Sequence, residues 1–287
     1  MRALLFLLIA LIVAVVAGTA GLLIYQARHS SDPTRTESSG GTRPRPTRAD
    51  PPSVSDKPNE NKPGAAEALP DPPKVSPDSE LKPLNKEKTL YLEVTKAGEK
   101  RVLFAGEVCL REGILEVLVC KKQTKEHEAI LRTDLDARFI HAALLAAGAK
   151  NGKPVQWINP KTEEPDYKPA SGQTIRVSVN YTKGGKVFTH PAQEWIQDRS
   201  TNKLMTHEWV FAGSRFVKNP DRPEDPEHYM ANNGEVIAIS NFVDSMLDLP
   251  VRVSGDVDQL HFEAVTKKIP PIGSKVWVIL EPVPEKK

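Results

Sequence analysis

The chain has 287 residues, with 39 Lys and Arg against 37 Asp and Glu, for a formal charge of +2 at pH 7. Acids and bases are intermixed along its length, so nothing supplies the basic face that would argue for nucleic acid. Two cysteines are too few for a four-cysteine iron–sulfur cluster, and no Gly-rich phosphate loop occurs.

Residues 1–26 come first. Ala3 to Ile24 is uncharged and dominated by Leu, Ile, Val and Ala. At about 1.5 Å per residue this run reaches roughly 33 Å, enough to span a bilayer. A cleaved signal peptide is the rival, because "AGTAG" (Ala17 to Gly21) offers small residues for a peptidase. The apolar region of such a peptide is normally about 7 to 15 residues, whereas Leu22, Leu23 and Ile24 continue past that point. We therefore read an uncleaved transmembrane anchor. Arg28 and Arg35 after the span, against Arg2 before it, taken alone point N-out. The two-residue leading tail and the signal-like start point the other way, and place the globular part on the periplasmic side of the membrane.

Residues 27–86 hold twelve prolines and no Phe, Tyr or Trp. Such a segment buries too little apolar surface to offset the entropy of ordering, so it reads as a disordered tether. Aromatics and alternating patterns return over residues 87–283, enough chain for one well-filled domain. Residues 284–287 are a tail.

Within the globular part, "TLYLEV" (Thr89 to Val94) and "RVLFAGEVCLR" (Arg101 to Arg111) read as strands around a turn at "KAGEK". Glu112-Gly113 then reverses the chain into "ILEVLVCK", which predicts a three-stranded antiparallel meander. Thr133 or Asp134 caps a helix over about 134–147, with Phe139, Ile140, Ala143, Leu144 and Ala147 as its apolar face and Gly148 as its exit. Further strands are expected at Thr174 to Tyr181, Glu194 to Ile196, Glu208 to Gly213, Glu235 to Ser240 and Lys275 to Glu281. "NNGE" (Asn232 to Glu235) reads as a hairpin turn, and "NFVDSMLDLP" as a second, short helix over about 241–248 stopped by Pro250. The expected class is α+β, strand-rich and mixed, with one main helix and one short one.

The stretch "ILEVLVCKKQTKEHEAIL" (Ile114 to Leu131) carries most of the chemistry-bearing side chains. Cys120 can serve as a nucleophile or redox thiol, His127 as its base, and Glu116 or Glu128 as the group that orients the imidazole. The opposite reading makes Cys109 and Cys120 small buried hydrophobes, and Lys125, His127 and Glu128 solvated rim residues. On the meander's register the two cysteines are about 13 Å apart, beyond disulfide reach, so both thiols are expected free. No common zinc spacing is matched, which leaves the metal ligands and cofactor unassigned. His141 reads as a packing histidine, and Asp244 with Asp248 as a carboxylate pair one helical turn apart.

"VCKKQTKEHEAIL", "IHAALLAAGAKNGKPVQW", "AQEWIQD", "WVFAGS" and "ISNFVDSMLDLP", in this order, resemble the YdjY-domain proteins of planctomycete bacteria. The resemblance covers nearly all of Glu87 to Pro282 and implies an exported or membrane-tethered domain of unknown biochemical role. It supplies no catalytic residues. The sequence thus favours a binding module of the cell envelope, facing an envelope protein, a glycan or a small ligand, perched on a sheet face with Trp195 or Trp209. The alternative is a thiol- or metal-assisted enzyme using Cys120, His127 and Glu116.

Overall fold

The computed structural model describes residues 68–158, 166–253 and 261–284. The anchor at 1–26 and the tether before Ala68 lie outside the described residues. Among those described, no helix is long and apolar enough to cross a membrane.

Strands β1 (Glu80–Pro83), β2 (Leu90–Val94), β3 (Lys100–Val108), β4 (Val117–Lys121) and β5 (Ala129–Thr133) precede the one α-helix among the described residues, α1 (Ala137–Ala146). β6 (Asn151–Lys153), β7 (Gln156–Ile158), β8 (Asp166–Lys168) and β9 (Ser171–Gly172) form two small ribbons, β6 with β9 and β7 with β8. After β10 (Thr174–Lys183) and β11 (Lys186–Pro191) come a 3-10 turn at Ala192–Trp195, β12 (Ile196–Asp198), β13 (Trp209–Phe211), β14 (Phe216–Val217) and β15 (His228–Tyr229). A second 3-10 turn at Met230–Asn233 leads to β16 (Ile237–Ala238), β17 (Leu247–Asp248), β18 (Phe262–Ala264) and β19 (Lys275–Pro282).

Eight strands close on themselves in the order β3, β19, β10, β13, β17, β16, β4, β5, and the β5–β3 pairing shuts the ring. The fold is therefore a β-barrel with added strands, which corrects the α+β expectation. A barrel of this size is filled by its own side chains. Alternation supplies them: Val102 and Phe104 of β3, Val276, Val278 and Leu280 of β19, and Ile175, Val177 and Val179 of β10 all join one core. The intervening residues Leu103, Trp277 and Ile279 face outward, yet they too are buried, beneath Leu69, Leu81 and Tyr91.

That outer cover is a strap formed by the chain around Leu69 to Ser79. Trp277 Nε1 donates to Pro70 O at 2.7 Å, and Arg101 Nη2 donates to Pro73 O at 3.1 Å. Burying a tryptophan removes roughly 150–250 Å² from water, about 4–6 kcal/mol, which is enough to hold a proline-rich segment against the wall. The span 27–86 read as a disordered tether thus includes chain that is packed on the barrel: the strap, and β1, which pairs antiparallel with β2 from Glu80 to Pro83.

Two further expectations are corrected. The second helix at about 241–248 does not form, because neighbouring strands take up the backbone of that segment. Met246 N donates to Glu235 O, Gly213 N donates to Met246 O, and Leu247–Asp248 becomes β17 between β13 and β16. The meander ends after β2 and β3. Past Gly113, at φ 113°, the chain leaves to pair Ile114 with Glu263, and β4 then returns parallel to β5, which separates it from β3. Helix α1 forms within the expected span, but its cap is Asp136, which accepts from Arg138 N at 2.9 Å, and not Thr133 or Asp134; Gly148 at φ 90° is its exit. Ile140, Ala143 and Leu144 are buried, but Phe139 is 57% exposed.

Candidate functional site

Parallel neighbours usually need a long crossover, yet β4 and β5 are joined by only residues 122–128. A loop that short has to double back against the wall it leaves. Gln123, at φ 66°, turns it, with its N–H on Glu126 Oε1 at 2.7 Å, and Glu128 N donates to Lys125 O at 3.2 Å. Lys125, Glu126 and Glu128 consequently lie over the barrel, while His127 stays in solvent.

Lys125 becomes a hub. Its Nζ stands 3.0 Å from Glu116 Oε2, 3.1 Å from Glu128 Oε1 and 3.5 Å from Glu235 Oε1, and 4.1 Å from the centroid of the Phe242 ring. Gly234, at φ 138°, makes room for it, since a Cβ there would come within 2.9 Å of Lys125 Cγ. Burial raises the carboxyl of Glu116, with the Glu128 carboxylate adding to it against Lys125, and burial likewise raises Glu235. Burial pulls the Lys125 ammonium down, but Glu116 and Glu128 outweigh it and hold its pKa above the usual value. A lysine held charged in this way stores an ion pair and is a poor nucleophile.

Of the four residues singled out from the sequence, Glu116 and Glu128 meet over Lys125. Cys120 is fully buried with Val117, Ala129, Ala238 and Phe242. Its thiol is lowered chiefly by a hydrogen bond from Cys109, with burial opposing and Thr124 assisting, while Cys109 is pushed far up by that same bond and by burial. His127 is 77% exposed, and its Nε2 lies 3.7 Å from Glu128 Oε2. Thiol, imidazole and Glu116 carboxylate thus occupy three different surroundings. The sequence had marked Glu116 and Glu128 as candidates, but it read Lys125 only as a solvated rim residue and gave Glu235 no site role. The alternation of Lys125 with acids was a usable signal for the first, while Glu235 is brought in only by tertiary structure.

Beside the hub lies a groove, and β3 creates it. Residues Lys100 to Phe104 pair with β2, whereas Glu107 and Val108 pair with β5 along the same edge, so the two partners part around Ala105 and Gly106. Thr133 Oγ1 donates to Ala105 O at 2.9 Å across the gap. The opening is a cavity of about 570 Å³ whose apolar surface comes from Leu69, Ala105, Leu135 and Phe139. An ion-pair chain runs along its floor. Lys275 Nζ is 2.5 Å from Glu107 Oε2, Arg132 Nη2 is 2.6 Å from Glu107 Oε1, and Arg132 Nη1 is 2.7 Å from Glu126 Oε2. Burial opposes ionisation of Glu107, but the hydrogen bonds from Lys275 and Arg132 prevail and keep its carboxyl below the usual range. Glu126 belongs to the 122–128 loop, so hub and groove share one wall.

The YdjY domain family matches residues 94–281. The chain belongs to that family. No curated protein and no solved structure matches it. In this YdjY domain the two tryptophans that the sequence offered for ligand contact are core: Trp195 is 1% exposed, and Trp209, 0% exposed, donates its Nε1 to Ala238 O at 2.6 Å. His141 packs edge-on against Phe211 and bonds Tyr229 OH at 2.8 Å, and burial lowers its pKa. Asp244 and Asp248 do not share a helical face. Asp244 pairs with Arg215 at 2.6 Å, whereas Asp248 is fully buried, takes Asn241 Nδ2 at 3.0 Å and Leu249 N at 2.7 Å on Oδ1, and is driven by burial up to about 7. Among the described residues no group of three or more His, Cys, Asp or Glu is set to hold a metal ion.

Proposed function

We propose that this YdjY domain is a binding module of the cell envelope, held outside the cytoplasm by an N-terminal membrane anchor, and that its groove between β3, β5 and α1 receives a peptide segment of an envelope protein. One observation carries this reading: an open cavity of about 570 Å³ with apolar walls, a floor of fixed opposite charges, and a Phe139 ring left 57% exposed at its lip. A cavity of that size falls within the roughly 300–1,000 Å³ of ordinary ligand sites. An exposed aromatic beside a charged floor suits an apolar side chain flanked by polar backbone, with Glu107 and Arg132 fixing the direction of the incoming chain.

The test replaces Phe139 with a photo-crosslinking phenylalanine analogue in the full chain, in its native membrane. The same analogue at Val187, 66% exposed and outside the groove lining, is the control. The reading expects a discrete protein adduct from position 139 that disappears in the Arg132→Glu background. Equal labelling from both positions, or none from 139, sinks it. Protease added to intact spheroplasts tests the anchoring, which requires that the domain be digested without lysis.

A further inference from the structure

β11 is an edge strand, paired with β10 alone, and it carries Phe188 and His190 on one face by its period of two. Phe188 lies directly opposite Tyr181 and stacks on it, with centroids 5.5 Å apart and planes 22° apart. The planes of Phe188 and His190 differ by only 14°, with centroids at 6.1 Å, and Trp195 closes the inner end against Tyr181 at 5.8 Å. Tyr181 and Trp195 are buried, so the strip offers the faces of Phe188 and His190. It borders a cavity of about 260 Å³ that shares no lining residue with the groove.

The surrounding charge is one-sided. Lys183, Lys267 and Lys268 line this cavity against a single acid, Glu194. Glu194 is already engaged, 3.0 Å from Lys268 Nζ and 3.6 Å from His190 Nδ1. Lys183 and Lys267 have no ion-pair partner among the described residues, which leaves a net positive rim beside flat rings. An aromatic face is negative and attracts the weakly positive C–H edges of a pyranose, while clustered ammonium groups attract a carboxylate or phosphate. A neutral sugar uses only the strip, and a bare anion uses only the rim.

We infer that this cavity binds an anionic sugar ring, stacked on Phe188 and His190 with its acidic group on Lys183 and Lys267. The shared chemistry is a pyranose bearing a carboxylate or phosphate, free or as one unit of an envelope polymer. The experiment is calorimetric titration of the full chain in detergent with N-acetylglucosamine 1-phosphate, beside N-acetylglucosamine and inorganic phosphate separately. The expected result is binding at least about tenfold tighter than either control, equivalent to about 1.4 kcal/mol. Phe188→Ala and a Lys183→Ala/Lys267→Ala double variant should each weaken it about fivefold or more, and an unchanged thermal unfolding midpoint separates that loss from misfolding. A glucuronic acid oligomer that binds more tightly per ring than its monomer assigns the site to polymer, and equal binding assigns it to free sugars. Affinity equal to that of inorganic phosphate, or indifference to both variants, overturns the inference without touching the groove reading.

Discussion

Glu93 and Asp248 are both carboxylates at 0% exposure, and the barrel treats them in opposite ways. Glu93 sits under the strap, where Oε1 accepts from Val75 N at 2.7 Å and from Ser79 Oγ, and Oε2 accepts from Arg101 Nε. Among the described residues Asp248 has no cation partner. Its Oδ2 lacks a hydrogen-bond partner among the described residues, and burial drives its pKa up to about 7. What separates them is the partner set and not depth: Glu93 faces a guanidinium and two further donors, whereas burial outweighs the donors on Asp248. The strap therefore does electrostatic as well as hydrophobic work, since it supplies two of the three donors on Glu93.

Removing the cation from Glu93 should have the largest effect. Arg101→Met strands a buried charge, and we expect a loss of about 3 kcal/mol in urea unfolding followed by tryptophan fluorescence. Adding Glu93→Gln should restore much of it. A loss under about 1 kcal/mol for the single variant would mean that Val75 N and Ser79 suffice.

Asp248 should show its state as a pH slope. Its ordinary value is 3.8 and its folded value about 7, so the folded chain holds the proton more tightly. The stability this adds is complete below pH 3.8 and is lost as pH rises through 7. Between pH 5 and pH 8 the loss is on the order of 2–3 kcal/mol. Asp248→Asn keeps an acceptor for Leu249 N and removes the slope. Glu116 and Glu235, also raised, contribute in the same direction, so the measurement is the difference between wild type and variant at each pH. Parallel curves would refute the assignment.

The Lys125 hub lies between these extremes, with one cation for three acids. Lys125→Met keeps the stem over Gly234 and removes the charge. We expect a loss of about 1–2 kcal/mol at pH 7, discounted because the group is partly solvated, and a smaller one at pH 5, where the raised acids accept protons. A loss that does not shrink at pH 5 would show that packing on Phe242, not the ion pairs, holds the loop.

What the sequence could reveal follows from which forces are local. The β2–β3 pair, α1, β10 and β19 were legible because alternation, a turn or a cap sits within a few residues of what it controls. The partners of a strand are not written in its own period, so nothing in "ILEVLVCK" said that β5 would come between it and β3. The same blindness hid the groove, which exists because β3 changes partner halfway along. Asn241 to Asp248 had helical spacing, but the backbone of Glu235 and Gly213 overrode it. Trp277 gave no sign that its outward phase would be covered, because the cover is a proline-rich segment that composition alone assigns to the tether.

The thiols test the smallest difference of all. Cys109, just past β3, donates its N–H to Ile130 O, whereas Cys120 of β4 pairs with Arg132, so β5 runs between the two cysteines. The sequence expectation of free thiols thus stands on a different register from the one that produced it, and both cysteines are free. Cys109 Sγ lies 3.1 Å from Ala129 O, while Cys120 is fully buried, which denies it reagent. Maleimide at pH 7 should leave Cys120 unmodified in the native chain over hours and label it within minutes in urea. Cys120→Ala should cost only about 1 kcal/mol, the removal of one small buried group. Rapid native labelling of Cys120, or loss of two hydrogens on treatment with diamide, would show that the wall opens around β5.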